Sequence, residues 1–131
     1  MIVEQEPAAE PSNVFDNPLQ QLVIDALDDM KAVDCAMFDV RSRTNVTDAM
    51  YLASGNSARH VKSIAEHVID KAREAGIRPL GVEGEDVAEW VLVDLGDAVV
   101  HVMLPRVREL YRLERIWGVD DDPGADADRG D

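Results

Sequence analysis

A single cysteine, Cys35, stands among 131 residues. No intrachain disulfide can form, and a Cys/His zinc pattern lacks its ligands. Basic residues are scarce as well: 13 Lys and Arg face 27 Asp and Glu, a formal net charge of −14. Modules that bind nucleic acid by neutralising many phosphates carry basic patches, so little or no direct nucleic-acid binding is expected. Long apolar runs are missing too. No stretch approaches the ~18 residues that a membrane span needs. The N-terminus shows no basic n-region with an apolar h-region, and none of the Arg-rich character of a transit peptide. A cytoplasmic protein without membrane contact is expected, and a lone thiol suits a reducing compartment. Aromatics are few, with two each of Trp, Tyr and Phe.

Apolar residues make up 46% of the chain, enough for one domain with a genuine core. The charge is uneven. Residues 1–17 carry Glu4, Glu6, Glu10 and Asp16 and no base, while residues 119–131 carry six Asp against Arg129. These two ends hold −4 and −5, leaving −5 for residues 18–118. Both ends have almost nothing to bury and are expected to be disordered acidic tails around a domain at 18–118.

Asn17-Pro18 reads as a helix start, a capping side chain before proline at the first helical position. Leu19, Leu22, Val23, Ala26, Leu27 and Met30 follow as one apolar stripe. Residues 36–40 and 49–53 have strand length and composition. Ser54-Gly55-Asn56-Ser57 breaks the second run and opens the longest helix, with Asn56 or Ser57 as its cap. Its buried face is Val61, Ile64, Ala65, Val68, Ile69, Ala72 and Ala75, and Gly76 is the left-handed residue past its end. Residues 78–82 form only a short or edge strand, because Pro79 cannot donate to a ladder. Gly96-Asp97 between the apolar runs 90–95 and 98–104 predicts a type II′ hairpin. Pro105 starts a last helix through Tyr111, Leu113, Ile116 and Trp117, closed by Gly118. The order α-β-β-α-β-β-β-α predicts an α/β (α+β) fold, a mixed sheet of about five strands flanked by helices.

Catalytic patterns are thin. Ser54-Gly55-Asn56-Ser57 between a strand and a helix suits an anion at the helix N-terminus or, more simply, a tight turn with a cap; it lacks the Lys of a P-loop. Ser54, His60 and Asp39 compose a triad on paper without a nucleophile elbow. His60 and His67 lie too far apart for an i, i+4 metal pair. Metal and cofactor sites are therefore expected to be absent. His101 interrupts an apolar strand, which places it on the less buried sheet face or on an interaction surface. Trp90 alternates with Leu92 and Asp94, opposite Val91, Val93 and Leu95; the valine side is core. The Trp90 side is either covered by a helix or an exposed apolar patch, and such patches mark partner sites.

Several segments resemble one family. They are Thr47-Asp48 before a strand, Ser54-Gly55-Asn56-Ser57-Ala58-Arg59-His60-Val61, and Gly76-Ile77-Arg78-Pro79-Leu80-Gly81-Val82-Glu83-Gly84. With them go Glu89-Trp90-Val91-Leu92-Val93-Asp94-Leu95-Gly96-Asp97-Ala98-Val99-Val100-His101-Val102 and an ending Tyr111-x-Leu113-Glu114-x-x-Trp117. Together they resemble the Iojap-like ribosomal silencing factors over about residues 19–118. Met50-Tyr51 and Ala98 depart slightly from the family's usual residues.

The resemblance implies a non-enzymatic translation repressor with a nucleotidyltransferase-like fold that lacks the catalytic carboxylates. It implies binding to the large ribosomal subunit through ribosomal protein L fourteen, which sterically blocks association with the small subunit under nutrient limitation. Carried over by position, the partner-binding residues are Trp90, Leu92 and Asp94, with His101 and Met103 from the next strand, and Tyr111. The alternative is a divergent nucleotidyltransferase-like enzyme using Ser57, Asp94 and Asp97. A monomer and a homodimer paired through the Trp90 face are both compatible with the sequence.

Overall fold

The computed structural model describes residues 13–111. After a 3-10 turn at Val14–Asp16 come α1 (Pro18–Asp29), β1 (Val33–Asp39), β2 (Ala49–Ser54), α2 (Ala58–Glu74), β3 (Gly81–Glu83), β4 (Trp90–Asp94), β5 (Ala98–Met103) and α3 (Pro105–Tyr111). The predicted order is the observed one. The strands make one mixed sheet in the order β1-β2-β5-β4-β3, with β2 and β5 parallel and the other neighbours antiparallel.

Local chemistry sets the helix ends. The Asn17 side chain accepts from the Leu19 N–H at 2.8 Å, with Pro18 at the first helical position. Ser57 caps α2, its Oγ accepting from His60 N–H at 3.1 Å. At the other end Gly76 has φ +82°, and the amides of Gly76 and Ile77 donate to the carbonyls of Arg73 and Ala72. This is a Schellman closure, which a residue with a Cβ makes only under strain. Ala75, expected in the buried face, is exposed as the C-cap residue.

The sheet is helix-covered on one face. Val23, Ala26 and Leu27 of α1 and Val61, Ile64, Ala65, Val68 and Ala72 of α2 bury against Tyr51, Ala53, Val91, Val93, Val100 and Val102. Two histidines tie α2 to the end of α1. His60 takes the Asn56 N–H on Nδ1 at 2.9 Å and meets the Met30 carbonyl through Nε2 at 2.9 Å, and His67 pairs with Asp29 at 3.0 Å.

Two regions depart most from the expectation. The strand expected at 36–40 starts at Val33 and contains a bulge, with Asp34 at φ +51° and a register shift between Val33 and Ala36. Residues 13–16, expected within the N-terminal tail, belong to the fold: Asn13 caps the 3-10 turn, Val14 is 6% exposed, and the Phe15 ring meets Tyr51 edge-on at 6.0 Å. Hydropathy alone hid this, because two apolar residues amid polar ones show no period. The remainder of the N-terminal tail, the continuation of the last helix to Trp117 and the C-terminal tail lie outside the described residues.

Gln20 was not singled out by the sequence pattern. It is 0% exposed, donates through Nε2 to the Asp97 carbonyl at 2.9 Å and accepts the Tyr51 hydroxyl on Oε1. Burial holds the Tyr51 phenol well above its ordinary pKa, so it remains a donor. Gln20→Leu strands the buried hydroxyl and removes a donor from Asp97, so it is expected to cost about 1–3 kcal/mol by chemical denaturation. Wild-type stability in Gln20→Leu would show that the pair is not structural. A chain starting at residue 17 loses the Val14 contact and is expected to melt lower than one starting at residue 13, by about 1–3 kcal/mol of stability.

Candidate functional site

The hairpin of β4 and β5 builds the face opposite the helices. Asp94 pairs with Val99, Leu92 with His101 and Trp90 with Met103. The two-residue loop Gly96-Asp97 follows, with φ +89° at Gly96 and the Leu95 N–H donating to the Ala98 carbonyl at 2.8 Å. Among the described residues Asp97 is not one of the positive-φ positions, so the glycine alone carries that conformation, as a type II′ turn requires. Paired residues share a sheet face, so Trp90, Leu92 and Asp94 stand with Val99, His101 and Met103. Parallel pairing extends the row to Met50, Leu52 and Ser54 of β2.

Part of this face is itself a core. Phe38, Val40, Met50, Leu52, Met103 and Val107 form a second buried cluster, with Ala36, Trp90 and Leu104 packed against it. The helix α3 is moored beside it. Arg108 donates to the Asp34 carbonyl and to Ser54 Oγ, Arg106 pairs with Glu89 at 2.9 Å, and the Leu104 N–H donates to the Glu89 carbonyl. The ring of Tyr111 thereby lies 5.0 Å from that of Trp90.

The six residues named from sequence fall into two layers. Trp90, Leu92 and Asp94 are partly buried and Tyr111 is 53% exposed, so these four present surface. His101 is 7% exposed and Met103 has no exposed surface. The expectation that His101 sits on an open face is thus corrected: a buried strand histidine is tolerated here because its ring has a partner. Trp90 Nε1 donates to His101 Nδ1 at 2.9 Å, with the rings 5.9 Å apart. Burial lowers the His101 pKa from 6.5 to about 4. Asp94 has a structural duty as well, since its Oδ1 accepts from the Gly96 N–H at 2.9 Å and closes the turn. Leu110, 72% exposed next to Tyr111 on α3, was not among the six site residues. Its signal was its place one residue before Tyr111 at the end of an amphipathic turn.

The catalytic alternatives do not assemble. Ser57 follows the C-terminal end of β2, whereas Asp94 and Asp97 flank the turn at the opposite end of the sheet. The length of β2, six residues or roughly 20 Å, lies between them. The paper triad also dissolves. Both nitrogens of His60 are taken by backbone groups, Asp39 is held by Arg41 at 2.7 Å, and Ser54 accepts from Arg108. Those hydrogen bonds from Arg41 keep the Asp39 carboxyl below its ordinary pKa. The turn at 54–57 commits two of its amides within the protein, Gly55 to the Met103 carbonyl and Asn56 to His60, while the Ser57 hydroxyl takes the His60 amide. It is a capped turn rather than an anion cradle. Among the described residues no three His, Cys, Asp or Glu side chains group as a metal ion requires, and no described helix is long and apolar enough to cross a membrane.

These features define a single-sheet α+β domain with one helix-covered face and one face carrying a supported aromatic cluster. Residues 15–131 match the family described as "Ribosomal silencing factor during starvation" (RsfS). The ribosomal silencing factor RsfS of Bacillus subtilis is 45% identical over 105 residues, covering 80% of this chain and 87% of that one. A crystal structure of a Chromobacterium violaceum protein, 46% identical, superposes with a TM-score of 0.76 over 77% of this chain and 84% of that one. The mouse "Mitochondrial assembly of ribosomal large subunit protein 1" is 30% identical over 99 residues, 73% of this chain and 43% of its own length. The chain belongs to the ribosomal silencing factor family.

The buried histidine makes stability depend on pH. Its folded pKa lies below the unfolded value, so the unfolded chain binds the proton first and the imidazole contributes fully only above about 6.5. That contribution is lost as pH falls from about 6.5 to about 4, and amounts to about 3 kcal/mol. His101→Asn has no such proton to take up, while carboxylate titrations are common to both chains. Denaturant melts at pH 7 and 4.5 are expected to show a loss at least about 1 kcal/mol larger in the wild type. Equal losses would contradict burial of a neutral His101.

Proposed function

We propose that this domain represses translation in the cytoplasm by occupying the large ribosomal subunit, without catalysing a reaction. It docks on ribosomal protein L fourteen and sterically blocks the small subunit, lowering translation when nutrients are limiting. Membership of the silencing-factor family supports the class of function, and the mouse relative's name points to the large subunit. The observation that carries the docking surface is the Trp90–Tyr111 ring pair at 5.0 Å, bordered by Leu92 and Asp94. Tryptophan and tyrosine in such a setting are typical anchors. Trp90, Leu92, Asp94 and Tyr111 make the contact, and His101 and Met103 support it from beneath. The same face accommodates self-pairing, so free chains are monomers or homodimers.

Trp90→Ala is expected to stay folded, since Trp90 lies at the margin of its cluster. It should lose about 30-fold or more in co-sedimentation with isolated large subunits, the equivalent of about 2 kcal/mol for an anchor. Full binding by the folded variant would reject this surface. A saturable rise in melting temperature with magnesium and any nucleoside triphosphate would reject the non-catalytic assignment, because a ligand stabilises the state it binds.

Asp94→Asn separates the charge from the turn cap. Asparagine keeps an oxygen for the Gly96 N–H and removes the negative charge that a basic ribosomal protein would meet. Stability should change little, while binding weakens several-fold at low salt and less at moderate salt, because screening already removes part of a charge contact. Unchanged affinity at both salts would assign Asp94 to the turn alone.

A further inference from the structure

The indole of Trp90 has one polar atom, an N–H that can only donate. Its strand partner is Met103, yet the N–H reaches the diagonal neighbour His101 across the hairpin. Since the indole cannot accept, His101 Nδ1 is the acceptor, the imidazole is neutral and its proton sits on Nε2. In the strand register His101 is flanked by Leu52 of β2 and Leu92 of β4, and 7% of it is exposed. The acceptor is therefore fixed in place, and the Trp90 ring neighbours both the imidazole, at 5.9 Å, and the Tyr111 ring, at 5.0 Å.

We propose that His101 is a positioning residue for the docking face: its Nδ1 takes up the indole N–H, so that Trp90 meets its partner as a fixed apolar ring and not as a hydrogen-bond donor. This rests on the docking surface proposed above and adds the chemistry of the opposing site. That site offers apolar groups or a cation to the ring, and no acceptor directed at Nε1. A tryptophan with a free N–H would instead rotate among several conformers and lose freedom on binding.

The test combines binding with the Trp90 indole N–H signal in a nitrogen-15 NMR spectrum, assigned by its disappearance in Trp90→Phe. In the wild type that N–H is expected to exchange slowly with water; in His101→Phe it exchanges fast. His101→Phe should weaken large-subunit binding about tenfold, and Trp90→Phe about three- to tenfold through its smaller ring. In the double variant His101→Phe should add no more than about twofold, because no indole N–H remains to be held. His101→Asn places an oxygen where Nδ1 was and should restore slow exchange and most of the binding; it also serves if His101→Phe does not fold. Fast exchange in the wild type, losses that multiply in the double variant, or no rescue by Asn would overturn the proposal. Full binding by Trp90→Ala is a different result, which removes the docking surface while the exchange measurements still judge the part played by His101.

Discussion

The backbone carbonyl of Asp97 joins three separate parts of this structure. It accepts from the amides of Asp48 and Ala49 and from the side chain of Gln20. Those bonds tie the β4–β5 turn to the start of β2 and to the first turn of α1, three segments far apart in sequence. Tyr51 adds its hydroxyl to the same glutamine from within the helix-covered face. A polar knot of this kind, with Gln20 and Tyr51 at its buried end, sets register more firmly than apolar contacts, which tolerate sliding. With β2 and β5 in register at that end, Leu52 falls beside His101 and Ser54 beside Met103. The geometry of the outer face follows from there.

The outer face has a different logic from the helix-covered one. A sheet in a small α+β domain closes one side with helices and has little chain left for the other. Here the short helix α3 contributes Val107, and the strands themselves supply Phe38, Met50, Leu52 and Met103. The result is a buried floor with aromatic rings above it. Trp90 is neither core nor free surface: it packs on the second cluster, bonds to His101 and faces Tyr111. A ring held by three such contacts has already lost much of the freedom that an exposed side chain surrenders on binding.

Much of the fold could be read in the residues because local signals agree with the tertiary result. Asn17-Pro18, Ser57, Gly76 and Gly96 each mark a terminus or turn by chemistry that acts within a few residues. Setting Gly96-Asp97 as a two-residue loop also pairs the strands, and so places Trp90, Leu92 and Asp94 on one face with His101 and Met103. Depth was harder to read. Alternation identifies the face and says nothing about what lies over it, so Met103 and His101 looked equivalent to Trp90 until α3 and β2 were in place. Gln20 escaped because its partners, Asp97 and Tyr51, are 77 and 31 residues away. The bulge at Asp34 escaped because a non-glycine residue with positive φ leaves no mark in hydropathy; what holds it is Arg108, 74 residues on.

Charge and apolar surface divide the work of docking under the proposed function. Residues 18–118 keep a net −5 while carrying Arg106 in a pair with Glu89, Lys71 with Glu74 and Arg41 with Asp39. Basic side chains are thus partly spent inside the domain, and a net negative charge gives it a repulsive field toward anions. Such a field is repelled by exposed phosphates and drawn to a basic protein surface, within a screening length of about 8 Å at physiological salt. On the ribosomal particle of the proposed function, which offers both, it would favour protein over RNA. Selection by charge acts chiefly on encounter, however, and lifetime depends on what is desolvated at the centre. Trp90 with its N–H already paired loses no hydrogen bond to water when a partner covers it. An unpaired indole would surrender one, at a cost of about 1–3 kcal/mol if nothing replaced it. Pairing within the chain removes that cost before the partner arrives, and leaves the acidic surroundings to decide which partner it is.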